Sequence, residues 1–293
     1  MKHQIQNDFF KVAINAVGAE LCSFKSIITE KEYIWPAKKE VWGSSSPVLF
    51  PIVGGLKNNS FLYEGKTYEL PRHGFIRGCD TLEVEKLSPK SIAFSLKANK
   101  ETLKIYPFQF SFTIAFELID KKLVVSYLIN NDGDKSMYFS LGAHPAFNCP
   151  WEKATNINDY YIEFEKEENE RSWDLDSAGL IADQGALLLD NTRVLPLHKH
   201  LFDKDALIFK SLKSRKLSLK SRKSSTVIRL HFSDFPSLGI WAKPQSDFVC
   251  LEPWLGYADS VNTKGLIKEK EGILSLSPQE EFKASYSIEI TDI

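Results

Sequence analysis

No apolar run in this 293-residue chain approaches the ~18 residues that a membrane helix needs. The densest patch is Val48-Leu49-Phe50-Pro51-Ile52-Val53, so no membrane-spanning role is expected. The first 25 residues carry Lys2, Asp8, Lys11 and Glu20 where a secretory leader would need an unbroken apolar stretch, and a cytoplasmic setting follows. Charge of one sign is also missing: 37 Lys plus Arg oppose 38 Asp plus Glu, for a formal charge of −1. Cysteine is sparse. Cys22, Cys79, Cys149 and Cys250 form no CxxC pair, which argues against a zinc ribbon or a disulfide scaffold and leaves reduced thiols in the core or near a site. No glycine-rich phosphate loop and no metal-ligand cluster stands out, so no cofactor, nucleotide or metal is expected.

Helical periodicity is equally scarce. The best helical stretch, about residues 100–106, ends at Pro107 after two turns. What the chain has in quantity is alternation. Phe108, Phe110, Phe112, Ile114 and Phe116 alternate with Gln109, Ser111, Thr113 and Ala115, which places the aromatics on one face of an extended segment. The same period of two recurs in Leu123, Val125, Tyr127 and Ile129, and again in Phe282, Ala284, Tyr286, Ile288 and Ile290. Shorter strands are expected around residues 10–16, 91–97, 160–165, 226–232 and 247–251. Glu64-Gly65 and Asn131-Asp132-Gly133-Asp134 read as the turns of two hairpins. Many one-sided strands must cover their apolar faces with one another, which gives an all-β fold built as a large antiparallel sandwich. With no repeat, linker or low-complexity tract, residues 1–293 read as a single domain.

Two charge runs need explaining. Lys210–Lys223 holds seven basic residues and no acidic one. Its interleaved Leu212, Leu217 and Leu219 fit an exposed edge hairpin, in which lysines discourage aggregation, better than a nucleic-acid surface. The run Glu163–Glu168 reads as acidic surface without the spacing of a metal cage.

Three clusters have the composition of a chemical site. In Pro71-Arg72-His73-Gly74-Phe75-Ile76-Arg77-Gly78 an extended chain would put His73, Phe75 and Arg77 on one face and Arg72 on the other, though a histidine beside glycine also suits a turn. In Leu141-Gly142-Ala143-His144-Pro145-Ala146-Phe147 small neighbours leave room for a ligand at His144, which equally fits a structural histidine. Val249-Cys250-Leu251-Glu252-Pro253-Trp254 sets a carboxylate among apolar groups. Desolvation there raises a carboxyl toward the range of a working base unless hydrogen bonds compensate. His198 and His200 form an HxH pair, but Lys199 between them opposes a cation and no third ligand is evident.

PRHGFIRG, SLGAHPAF and CLEPWLG, in this order within a β-rich chain, resemble the aldose 1-epimerases, the galactose mutarotase-like enzymes, and among them the LacX-type and hexose-6-phosphate mutarotase-related branch. The likeness runs from about residue 10 to residue 290 and includes the early segment LFPIVGGLKNNSFLYEGKTYEL. It implies a β-supersandwich with a concave sugar-binding face and a small-molecule hexose or hexose phosphate as ligand, in a monomer or homodimer. It further implies an isomerase in which Glu252 is the general base, His144 the general acid and His73 a partner to the ring oxygen or a neighbouring hydroxyl. Arg77, Arg72 and Asp205 would hold the sugar, with Asp203 close enough to Asp205 to compete for that place. Where galactose-specific members carry arginine in the early glycine-rich segment, this chain has Gly55 and Asn59, so one sugar-hydroxyl contact is either lost or supplied by another residue, for which Arg72 and Arg77 are the candidates. Ordinary acid–base catalysis would need a histidine near its usual pKa of ~6.5. The same concave sheet in a non-catalytic carbohydrate binder is the main alternative. A glycoside hydrolase or lyase would need a second well-placed carboxylate.

Overall fold

The computed structural model describes residues 1–291, and every ladder between its strands is antiparallel. Period-two alternation is the cause. Phe110–Ile119 buries Phe110, Phe112, Ile114, Phe116 and Leu118 and turns their neighbours outward. Lys122–Asn131 beside it and Glu281–Thr291 beyond do the same, and the three strands lie consecutively in a nine-stranded sheet. From one edge, that sheet runs Ile181–Pro196, Tyr160–Leu175, Lys216–Ser221, Val227–His231, Glu281–Thr291, Lys122–Asn131, Phe110–Ile119, Ser91–Lys97 and Glu83–Ser88. Its apolar face packs on a six-stranded sheet ordered Leu207–Phe209, Ser237–Trp241, Phe248–Leu255, Leu141–Ala143 and Val48–Leu49, with Ala146–Asn148 also pairing Phe248–Leu255. One apolar cluster unites the two sheets. Phe50, just past Val48–Leu49, meets Phe112 at 4.9 Å between ring centroids.

The smaller sheet has a second covered face. All eight residues of Phe248–Leu255 are buried, as expected of a strand with packing on both sides. Behind it, Leu49, Val53, Ile181, Ile208, Trp254, Tyr257 and Ala258 form a separate small cluster. The functional cavity opens beside that cluster.

Several expectations need correction. Asn131–Asp134 does not close a hairpin, because Met137–Phe139 leaves the large sheet and pairs with Leu274–Leu276. Nor is the basic run an edge hairpin. Lys216–Ser221 is interior to the large sheet, between Tyr160–Leu175 and Val227–His231. Lys220 pairs with Glu163, and Lys216 approaches Glu165 at 3.9 Å. The basic and acidic runs therefore face each other across adjacent strands, where opposite charges on a solvated face are favourable. Glu168 leaves the surface altogether. It is fully buried, and its carboxylate accepts the backbone N–H groups of Lys213 at 3.1 Å and Ser214 at 2.6 Å. The short helix is Thr102–Ile105. Cys22, Cys149 and Cys250 are buried, Cys79 is half-buried, and all four are free thiols. Among the described residues no helix is long and apolar enough to cross a membrane.

Candidate active site

Glu252 sits in the middle of Phe248–Leu255, directly across the ladder from Gly239. On the strand's other side, Gly142 pairs with Trp254 and Ala146 with Cys250. Carried through the gap between those pairs, the same register puts His144 opposite Glu252. Pro145 has no N–H to give the ladder, but its carbonyl accepts from Leu251 N at 3.1 Å and keeps the loop sewn to the strand. His144 Nε2 thereby lies 3.2 Å from Glu252 Oε2. The contact is close but not aligned as a hydrogen bond, and Glu252 Oε2, His144 Nδ1 and Trp254 Nε1 are buried and make no well-aligned hydrogen bond, although the Trp254 indole lies close enough to draw the Glu252 carboxyl down. Such atoms are costly to leave unmet, and ligand hydroxyls are the groups that would satisfy them.

His73 arrives by a different route. Its segment is a tight turn rather than the extended run expected from sequence. His73 has φ 69° and Gly74 φ 74°, and a Cβ on Gly74 would fall 2.2 Å from the Phe50 carbonyl oxygen, so only glycine fits there. The His73 backbone N–H donates to Gly54 O at 2.8 Å, and Gly54 N–H donates to His73 Nδ1 at 3.1 Å. With Nδ1 committed as an acceptor, the ring is neutral and carries its hydrogen on Nε2. The His73 and His144 rings meet edge to face at 5.7 Å.

The turn does not separate the expected residues. Arg72, His73, Arg77, His144, Asp205 and Glu252 all line one cavity of about 270 Å³, together with Trp42, Trp241 and Trp254. That size suits a compact small molecule. Asp205, at φ 90°, leads into the edge strand Leu207–Phe209 and faces the cavity. Asp203 does not. It pairs with His200 Nδ1 at 2.9 Å on the surface, while His198 lines a separate depression, so the HxH pair makes no metal centre. Asn59 is exposed in a turn and is not part of the cavity wall. Arg72 packs against Gly179, whose carbonyl oxygen lies 3.7 Å from where a Cβ on Gly55 would stand.

Sequence reasoning missed Trp42 and Trp241. Trp42 stacks on His144 at 5.1 Å with 28° between planes, and Trp241 meets the same imidazole edge-on at 5.9 Å. An isolated tryptophan in the polar loop Lys39–Ser46 was the available signal for the first. Trp254 lies in the CLEPWLG motif, but nothing in that motif marked it as cavity wall, which it is. Its indole fits because a Cβ on Gly239 would stand 2.5 Å from the ring.

Burial dominates the electrostatics. Glu252 is 1% exposed, and desolvation pushes its carboxyl well above the ordinary range, while nearby Arg72 pulls the other way. Desolvation, helped by Arg77, pushes His144 down to about 3. His73 is driven well below its usual value by burial and by His144. Histidines of ordinary pKa, expected from sequence, are therefore not what the cavity contains. Both shifts favour the uncharged forms, a carboxyl at Glu252 and a neutral imidazole at His144, which together hold one titrating proton.

The sequence pattern of the aldose 1-epimerase family matches residues 1–288. The chain belongs to the aldose 1-epimerase family. The LacX proteins of Lactococcus lactis subsp. lactis, plasmid and chromosomal, are 33% identical over 299 residues, covering 99% of this aldose 1-epimerase-family chain and 99% of theirs. A galactose mutarotase related enzyme from Lactobacillus acidophilus superposes with a TM-score of 0.94 at 37% identity, over 100% of this chain and 98% of that one. A galactose mutarotase-like protein from Lactobacillus casei does so at 0.93 and 29%, over 99% and 100%. Membership makes the protein an isomerase-type enzyme with a sugar-epimerase function and a small-molecule sugar ligand, on the galactose mutarotase-like β-sandwich.

Proposed function

We propose that the protein interconverts the α and β anomers of a hexose or hexose 6-phosphate, with Glu252 as general base, His144 as general acid and His73 as a hydrogen-bond donor to the ring oxygen or an adjacent hydroxyl. The observation that carries this is the 3.2 Å approach of His144 Nε2 to Glu252 Oε2 at the wall of a cavity that also holds His73. Anomerisation requires the C1 hydroxyl to lose a proton while the ring oxygen gains one. The C1–O5 bond then breaks, the aldehyde rotates, and closure on its other face returns both protons. A carboxylate and an imidazolium side by side supply both transfers.

The shared proton makes this compatible with the shifted pKa values. Neutral carboxyl plus neutral imidazole holds as many protons as carboxylate plus imidazolium, so one transfer across the pair converts the resting state into the reactive one. Sugar hydroxyls donating to Glu252, with Arg72 nearby, favour the charged form. Opening the ring moves a proton onto Glu252 and takes one from His144, which leaves the pair neutral until closure.

His73→Asn is expected to lower kcat about 10-fold, the loss of roughly one hydrogen bond, and so less than loss of the acid or base. Stopped-flow anomerisation rates check this. Asp205→Ala is expected to raise KM about 10-fold with kcat within a few-fold, again on the scale of one hydrogen bond. Asp203→Ala, whose partner is His200, leaves both unchanged. Equal effects in the two variants would remove Asp205 from sugar binding.

The deciding experiment dissolves single anomers of free and 6-phosphorylated hexoses and follows equilibration by polarimetry and NMR. Acceleration for at least one sugar is expected. Ligand-induced shifts without acceleration across the panel would identify a carbohydrate binder and end the catalytic reading.

A further inference from the structure

Cys250 has no part in anomerisation, yet it lies two residues before Glu252 on the same strand and therefore on the same face. Ligand atoms of His144, Cys250 and Glu252 all lie within 4.8 Å of one another. A thiolate, an imidazole and a carboxylate are the three donor types that zinc takes, at about 2.0–2.3 Å each. Tetrahedral bonds of that length place ligand atoms about 3.5 Å apart, so the three groups need to draw in by about an ångström. The same site carries the buried Glu252 Oε2, which makes no aligned hydrogen bond. Two of the three residues line the open cavity, which gives an ion a way in.

We infer that His144, Cys250 and Glu252 form an inhibitory site for a thiophilic divalent cation, Zn²⁺ or Cd²⁺, with its remaining coordination position facing the sugar cavity. Coordination takes the Cys250 sulfur as thiolate, so its proton is released as the ion binds. The bound ion occupies the lone pairs that the acid and base need, and the sugar and the ion exclude each other. Mg²⁺, which demands oxygen ligands in octahedral geometry, does not compete.

The test uses the full chain, freed of metal by chelator. One equivalent of Cd²⁺ is expected to produce the ultraviolet thiolate-to-metal charge-transfer band, lost in Cys250→Ser and retained in Cys79→Ser. Zn²⁺ is expected to inhibit anomerisation reversibly, with its inhibition constant raised at least about 10²-fold in Cys250→Ser, as loss of a direct ligand should exceed the cost of losing an outer-sphere partner. A missing band in the wild type, or a band that survives Cys250→Ser, overturns the site. Should Cys250→Ser fail to fold, Glu252→Gln serves in its place, and unchanged Cd²⁺ affinity in that variant overturns the site equally. Only the inhibition measurement rests on the catalytic reading. A band without any measurable anomerisation would uphold the site while that reading fails.

Discussion

Glu252→Gln is expected to reduce anomerisation by at least about 10²-fold, the lower end of what a positioned acid or base contributes, with no loss of fold. The amide keeps the shape of the carboxyl but cannot take a proton from the C1 hydroxyl, so the effect falls on kcat rather than on KM. Its stability consequence has a definite sign. A carboxyl whose folded value is raised costs stability once the pH exceeds its unfolded value and the unfolded chain ionises. Glutamine removes that cost, and the variant should melt at the same temperature as the parent, or higher, at pH 7. Polarimetry beside a circular-dichroism melt checks both halves. A folded variant turning over at near wild-type rate would take Glu252 out of the mechanism.

Such a trade between stability and chemistry explains why Glu252 was visible in the sequence. A charge inside Val249-Cys250-Leu251-Glu252-Pro253-Trp254 breaks the local apolar rule, and such breaks concentrate at functional sites. The strands were legible for the complementary reason. The Phe110 to Phe116 stripe states its own burial, and the alternation at Leu123 to Ile129 and at Phe282 to Ile290 states theirs. What period two does not encode is the neighbour. Lys216 and Lys220 looked like edge charges because Glu163 and Glu165, their cross-strand partners, lie more than fifty positions earlier in the chain. Glu168 looked solvated because the backbone amides of Lys213 and Ser214 that hold it lie 45 and 46 positions later in the chain. His73 shows the limit on a shorter scale. Its segment carries the right residues, but left-handed backbone at both His73 and Gly74 replaces the extended geometry, and the histidine reaches the cavity through the Gly54 turn. His144 and Glu252 are brought together only by the ladder register.

His144→Ala is expected to match Glu252→Gln in rate, at least about 10²-fold down, and to test the shared proton through stability. Unfolded, the two groups titrate near 6.5 and 4.5. Folded, Glu252 is raised and His144 falls to about 3. Between pH 4.5 and 6.5 the unfolded pair holds one proton, on histidine, and the folded pair holds one, on glutamate, so the pair gives stability no pH slope there. Above 6.5 the unfolded pair holds none and stability falls as pH rises. Below 4.5 it holds two and stability falls as pH drops. His73, buried and neutral when folded, adds a loss below 6.5 that wild type and variant share. Alanine at 144 removes the compensating histidine. The folded variant still keeps a proton on Glu252 while its unfolded chain has lost one. Relative to wild type, the variant should therefore lose up to about 1.4 kcal/mol per pH unit as pH rises through this window. Urea denaturation at half-unit pH steps measures the difference. Parallel curves would mean that Glu252 is already ionised in the folded protein, and the resting pair would then have to be carboxylate and imidazolium before any sugar arrives.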